Sequence, residues 1–337
     1  MRIVVTGGAG FIGANFVRWV LDHHPEVSVV TLDALTYAGN AENLAGLDPS
    51  RHRLVVGDVT RPKDVAGVLA GPTDAVVHFA AESHVDRSIL GAQPFAATNM
   101  VGTQVVLDAV RAAGVPRLLH VSTDEVYGTL APGDAPFTEE HPLRPTSPYA
   151  ASKAGADLLV LAAVATHRLD AVITRCANNY GPYQFPEKLI PLFITNALAG
   201  EPLPLYGDGS QVRDWIHVHD HCRALWAVLT RGRAGRVYNV GAHGERDNLA
   251  LAHQLMALLG VEADRLVRVA DRPAHDRRYA LNTQRIEQEL DFTPAIPFDD
   301  GLRSTVAWYR DHSGWWQRVK AGAYRTYYVA QYGEHLS

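Results

Sequence analysis

The sequence predicts an α/β protein: a doubly wound parallel sheet with a smaller C-terminal lobe over one end. Three observations carry this. Short β-branched runs alternate with stretches of helical apolar spacing through the first half of the chain, a pattern that specifies a parallel sheet covered by helices. A glycine-rich turn, Gly7-Gly8-Ala9-Gly10-Phe11-Ile12-Gly13, joins the first strand to the first helix. After Cys176 the composition shifts to asparagine- and proline-punctuated segments that do not continue the alternation. We divide the 337 residues into a dinucleotide-binding domain, 1–176 plus about 214–243, and a substrate lobe, about 177–213 and 244–337. That length is enough for a sizeable core.

Residues 2–6 form the first strand and residues 14–22 the first helix, with Phe16, Val17, Val20 and Leu21 on one face. Strand, glycine turn and helix are the setting of a dinucleotide fingerprint. Gly7 permits the tight turn, Gly10 lets backbone approach a pyrophosphate, and Gly13 lets helix and strand pack closely. A bare glycine turn is the alternative. Residues 27–32 form the second strand, and Asp33 ends it about 20 residues after the last glycine, as the fingerprint requires. A carboxylate there accepts from both ribose hydroxyls and repels a 2′-phosphate, which favours NAD over NADP. Residues 53–56 form a third strand closed by Asp58, placed to accept from an adenine amine or to serve as a plain turn residue.

A fourth strand, 75–79, runs into the small residues Ala80 and Ala81, which leave room for a cofactor. Residues 101–113 read as a helix and 118–121 as the fifth strand. At its mouth stand Ser122, Thr123, Asp124 and Glu125. Half-buried carboxyls need a reason, because burying charge is costly unless it is paired; a loop whose acids are simply solvated is the alternative. Ligands on such sheets lie outside the carboxyl ends of the strands, so Asp33, Asp58, Ala80 and Thr123 should line one crevice.

A polar loop, 131–148, precedes a helix over 149–167. Tyr149 and Lys153 stand four apart and share a face. A neighbouring ammonium favours phenolate, making the tyrosine a usable base. Residues 171–175 form the sixth strand. Beyond it come a short strand and turn at 202–208, a strand at 213–218, a helix near 220–230, a strand at 237–240 and a helix at 248–259. Lys188, Arg213, Arg272 and His275 suit a substrate carrying a diphosphate; solvated surface cations are the alternative.

Other features exclude function classes. The formal net charge is -5, without the basic stripe of a nucleic-acid binder. Cys176 and Cys222 are too few for a disulfide framework and lack metal-ligand spacing, so we expect reduced thiols and a cytoplasmic protein. The 16 histidines show no metal-ligand spacing either. We expect no membrane span. Trp308, Trp315, Trp316 and the tyrosines of 324–332 crowd the tail; wrapping onto its own chain or onto a partner are both open.

Taken together, residues 7–13, 79–88, 122–128, 149–153, 178–191 and 213–220 resemble the extended short-chain dehydrogenase/reductase family over nearly the whole chain, with its Rossmann domain. Within it the chain is similar to the nucleoside-diphosphate-hexose 4,6-dehydratases, most closely those acting on dTDP-glucose, because Thr123-Asp124-Glu125 supplies an adjacent acid pair that related epimerases lack. The resemblance implies that Tyr149 and Lys153 start C4 oxidation, that Glu125 removes the C5 proton, that Asp124 protonates the departing 6-hydroxyl, and that Thr123 binds the 4-oxygen. It implies NAD held by Gly7, Gly10, Phe11, Ile12, Gly13, Asp33, Ala34, Leu35, Thr36, Asp58, Val59, Phe79, Ala80, Ala81, Thr98, Tyr149, Lys153 and Asn179. It implies a nucleotide sugar held by Ser83, Thr123, Asn178, Lys188, Leu189, Pro204, Tyr206, Arg213, Asn248, Arg272, His275 and Tyr279, and no metal. It also implies a homodimer paired near 95–113 and 149–167. Rival readings are a UDP-sugar dehydratase, a 4-epimerase, or an NAD-binding regulator. The family's Arg-Pro-Gly-His is Arg272-Pro273-Ala274-His275 here, a change expected to bear on nucleotide recognition.

Overall fold

The structure, a computed structural model, describes residues 1–273, 275–321, 328 and 331. The first half of the chain runs β1 (Arg2–Thr6), α1 (Phe11–His23), β2 (Ser28–Asp33), β3 (His52–Val56), α2 (Pro62–Leu69), β4 (Ala75–His78), α3 (Val85–Leu90), α4 (Gln93–Phe95), α5 (Thr103–Ala113), β5 (Leu118–Thr123), α6 (Pro148–His167) and β6 (Ala171–Cys176). The second half adds β7 (Asn178–Tyr180), α7 (Leu189–Ala199), β8 (Leu203–Tyr206), β9 (Val212–Arg213), β10 (Trp215–His217), α8 (Val218–Arg231), β11 (Val237–Val240), β12 (Arg246–Asp247), α9 (Asn248–Leu259), β13 (Leu266–Val269), α10 (Gln284–Leu290), α11 (Phe298–Asp311) and α12 (Ser313–Val319).

Seven strands form one parallel sheet in the order β11-β6-β5-β4-β1-β2-β3. The strand order reverses between β1 and β4, the switch point at which such sheets bind ligands. The sheet is covered on both faces, so β4, β5 and β6 are buried along their whole length. A second apolar cluster, built from α7, β8, α9 and α11 with Trp215, Trp315 and Trp316, lies outside the sheet. The proline-rich segment after β6 forms small two-stranded pairings, β7 with β10, β8 with β13 and β9 with β12.

The structure departs from or adds to the sequence reading at three points. The helix read over 101–113 begins earlier: α4 leads into a π-helical stretch, Ala96–Gly102, before α5. Small and polar residues there hide the apolar period, and tertiary bonds hold the turn instead. Asn99 accepts from the Glu82 N–H (2.8 Å) and donates to the Ser152 hydroxyl (2.8 Å). Secondly, β12, β13, α10 and α11 have no counterpart in the sequence reading. The two strands are only 2 and 4 residues long and pair with distant segments. Thirdly, the tail tryptophans pack on their own chain: Trp315 donates to Asn43 (2.9 Å) and Trp316 is buried. Tyr324, Tyr327, Tyr332 and Ala274 lie outside the described residues.

One fold contact yields a stability prediction. His221 of α8 is fully buried, and its Nδ1 bonds to Asn179 Oδ1 at 2.8 Å. Its Nε2 has no partner. Burial lowers its pKa from 6.5 to about 3. A histidine shifted downward stabilises the fold above its unfolded pKa, and that contribution is lost as pH falls below 6.5 toward about 3. The expected loss is up to about 1.4 kcal/mol per pH unit. Urea melts at pH 7 and pH 5 should show it, and His221→Gln should reduce the difference.

Candidate active site

A cleft of about 420 Å³ opens along the carboxyl ends of β1, β2, β4 and β5 and reaches the second apolar cluster. Every cofactor, substrate and acid–base residue named from the sequence lines it except Leu35. Leu35 instead packs against the main core with φ +51, and its N–H serves the site by donating to Asp33 (2.8 Å).

At one end of the cleft the glycines do what their positions require. Gly7 has φ +72, and a Cβ on it would lie 2.5 Å from the Ala80 nitrogen. A Cβ on Gly13 would lie 2.3 Å from the Gly7 oxygen. Helix α1 starts at Gly10 with no side-chain cap and no acid in its first turn, so its free N–H groups face the cleft, ready for a phosphate. Each oxygen of Asp33 accepts one backbone N–H, from Ala9 (2.9 Å) and Leu35 (2.8 Å), and keeps lone pairs for hydroxyl donors. Asp58 is oriented by bonds from the Thr60 N–H and hydroxyl, both 2.8 Å. The cradle fits a dinucleotide. Gly13→Ala should force backbone apart, lowering stability by about 1–3 kcal/mol. The protein should then lose bound NAD, measured as nucleotide released on denaturation.

At the centre, β5 delivers Thr123, and a 3₁₀ turn, Asp124–Tyr127, carries the two acids. Asp124 is buried, accepts from the Thr123 hydroxyl at 3.3 Å, and has one oxygen without a partner. Burial, and then the Glu125 charge, push its pKa well above the usual carboxylate value. Burial also raises Glu125, but Lys188, Arg272 and Arg213 oppose it. The two neighbours therefore sit in unequal fields: both carboxyls are raised, Asp124 well above its ordinary value, while three cations oppose the rise of Glu125 and only Arg213 that of Asp124. Such a pair can act as acid and base at once.

Helix α6 starts at the Ser147 cap, which accepts from Ala150 N at 3.1 Å. Tyr149 and Lys153 are both buried on its cleft face. Lys153 donates to the Val121 carbonyl at 2.8 Å. The expected phenolate is corrected for the free protein: burial, then Glu125, raise the Tyr149 pKa well above its ordinary value, partly offset by the Thr123 hydroxyl. Lost water and the Glu125 charge dominate in this dry pocket, and the Lys153 ammonium is engaged by the Val121 carbonyl.

The far end is cationic. Lys188 donates to the Ser83 carbonyl (3.1 Å). Arg213 donates to the Asp276 carbonyl (2.8 Å) and lies 4.3 Å from the Tyr279 ring centre. Arg272 donates to Asp86 (3.0 Å), which also accepts from the Tyr206 hydroxyl (3.0 Å). The sequence reading assigned no role to Asp86, His84 or Glu187, which line the same wall. The signal is present for all three, since His84 and Asp86 lie in the family-like stretch 79–88 and Glu187 in the stretch 178–191. Glu187 is buried, and burial raises its pKa to about 7. No group of metal-ligating side chains occurs among the described residues.

The GDP-mannose 4,6-dehydratase family model matches residues 4–305. A dTDP-glucose 4,6-dehydratase of Streptomyces niveus is 52% identical over 326 residues, 95% of this chain and 96% of that protein. One from Mycobacterium tuberculosis is 51% identical over 322 residues, again 95% and 96%. A solved dTDP-glucose 4,6-dehydratase of Streptomyces venezuelae, determined with NAD and dTDP bound, has a TM-score of 0.92 at 53% identity, covering 95% of this chain and 100% of that one. A UDP-glucose 4-epimerase of Thermotoga maritima has a TM-score of 0.86 at 27% identity, covering 92% and 99%. The shared fold thus extends to epimerases, but the closer sequence matches, the matching family model and the unequal acid pair agree, and the chain belongs to the GDP-mannose 4,6-dehydratase family, alongside its dTDP-glucose 4,6-dehydratases.

Proposed function

We propose that this chain converts dTDP-glucose to dTDP-4-keto-6-deoxyglucose. The observation that carries the reading is the adjacent pair Asp124 and Glu125, set in unequal fields in the cleft that Tyr149 also lines. NAD, when bound, supplies a hydride acceptor for C4 and a donor for C6, and its cationic ring favours the Tyr149 phenolate. The glycine turn, Asp33, Asp58 and Asn179 hold it.

Tyr149 takes the proton of the 4-hydroxyl, and Lys153 supports the phenolate. The resulting 4-ketone acidifies the C5 hydrogen. Glu125 removes that proton while Asp124 protonates the departing 6-hydroxyl, and water leaves. Glu125 returns its proton to C5 when C6 is reduced. With the sugar bound, the Thr123 hydroxyl turns from Asp124 to hydrogen-bond the 4-oxygen. Lys188, Arg213 and Arg272 pair with the diphosphate, and Asp86 orients Arg272. The second apolar cluster, with residues 177–213 and 244 onward, serves as the substrate lobe.

Two copies pair through the helical stretch 93–113 and α6, whose outward Met100, Val101 and Leu158 are exposed apolar residues. Helix α6 is apolar enough by composition to cross a membrane, but half of it is buried inside the fold. With two buried free cysteines and a formal charge of -5, we read a cytoplasmic enzyme that binds neither membrane nor nucleic acid.

The test is turnover on dTDP-glucose and UDP-glucose, followed by the alkaline-shifted absorbance of a 4-keto-6-deoxy product. We expect signal with dTDP-glucose at a kcat/KM at least about 10-fold above UDP-glucose, the discrimination of roughly one pocket contact. No signal with either sugar would remove the dehydratase reading.

A further inference from the structure

Beneath the reacting carboxyls runs a buried ionic chain that the chemistry above does not use. Asp157 lies four residues after Lys153 on α6 and is fully buried. It accepts from Arg175 Nε at 2.8 Å, and His120 Nε2 lies 3.4 Å from its other oxygen. Burial pushes this carboxyl up, yet His120 and Arg175 hold it below the ordinary value. Arg175, next to Cys176 on β6, also donates to the Tyr127 hydroxyl at 2.9 Å. That hydroxyl donates to Asn239 Oδ1 at 2.7 Å. Tyr127 is the last residue of the turn that carries Asp124 and Glu125, and its ring stacks on Phe137 at 4.9 Å.

Stability alone does not account for this chain, because apolar side chains of the same volume serve a core equally well or better. Its geometry does something else. It reaches from the helix that holds Tyr149 and Lys153 to the turn that holds the two acids. Lys153 is seated separately, by its 2.8 Å bond to the Val121 carbonyl. The turn has looser local ties, with Thr123 Oγ1 capping Glu125 N at 3.3 Å and Gly128 N reaching the Glu125 carbonyl at 3.2 Å.

We propose that Asp157, Arg175 and Tyr127 are positioning residues that hold the acid–base turn in register with the tyrosine helix, and that they serve water elimination more than C4 oxidation. This rests on the assignment of elimination to Asp124 and Glu125.

The test is Tyr127→Phe, which removes one hydroxyl and keeps the stacked ring. In single turnovers of the NAD-loaded enzyme with dTDP-glucose, C4 oxidation should keep its wild-type rate. Elimination should slow about 10-fold, as for a small misplacement of reacting groups. Reduced nicotinamide absorbance should therefore accumulate, with KM unchanged. Arg175→Lys keeps a cation beside Asp157 but lacks the fork that reaches both partners, and should show the same split. Unchanged rates in both phases would overturn the proposal. So would equal slowing of both, which marks a general loss of fold. Glu125→Gln is run alongside. If it accumulates no reduced nicotinamide, the assignment of the acids fails and the proposal falls with it; if it does and Tyr127→Phe does not, the proposal alone fails.

Discussion

Glu125→Gln and Asp124→Asn should each lower turnover of dTDP-glucose by about 10²–10⁴-fold, the contribution of a positioned acid or base, while C4 oxidation proceeds. The expectation follows from the site. In the proposed mechanism neither carboxyl removes the 4-hydroxyl proton, which falls to Tyr149. Without Glu125 the C5 proton stays; without Asp124 the 6-hydroxyl leaves as a poor leaving group. Stopped-flow absorbance should show reduced nicotinamide rising and then persisting. The pH dependence has a definite sign. Asp124 must be protonated, and its pKa is raised by burial and by Glu125, so elimination weakens as pH rises through that raised value. In Asp124→Asn the residual rate should lose this alkaline limb, because an amide does not titrate. An Asp124→Asn, Glu125→Gln double variant that still makes the 4-keto-6-deoxy product at the wild-type rate would end the two-carboxyl account.

Tyr149→Phe should cost a similar about 10²–10⁴-fold, but with the opposite transient. No reduced nicotinamide should form, because the 4-hydroxyl keeps its proton and hydride cannot depart from C4. The phenylalanine ring retains the contact with Phe95, whose ring centre lies 6.3 Å away, so melting temperature should change little. Tyr149 must ionise, and its pKa lies well above the ordinary phenol value in the free protein; the oxidation rate therefore rises with pH until the phenol is titrated. A Tyr149→Phe protein that reduces its nicotinamide at the wild-type rate would assign the base elsewhere.

The contrast between these two variants tests the roles, and it also shows which parts of the site were legible early. The glycine turn, Asp33 and the Tyr149–Lys153 spacing are local patterns with a mechanical reason, and the chain folds them where they were read. The Thr123-Asp124-Glu125 triplet was legible as an oddity, charge at the mouth of a buried strand. Asp86 and Glu187 lie in family-like stretches, but their roles were not legible. Each is an acid in an ordinary loop or helix turn until a distant segment supplies its cation, as Arg272 does for Asp86 across 186 residues.

The sequence by itself determined the parallel sheet, the crevice at its carboxyl edge and which side chains line it, because strand period, helix spacing and glycine placement are short-range and each has one satisfactory geometry. Tertiary structure alone decided the electrostatic division of labour. Which of two adjacent carboxyls keeps its proton depends on burial and on Lys188, Arg213 and Arg272, brought in from other elements. The π-helical turn at 96–102 and the Asp157–Arg175–Tyr127 chain were likewise settled only by contact. Desolvation and Coulomb fields act over distance in space, and separation along the chain carries no record of it.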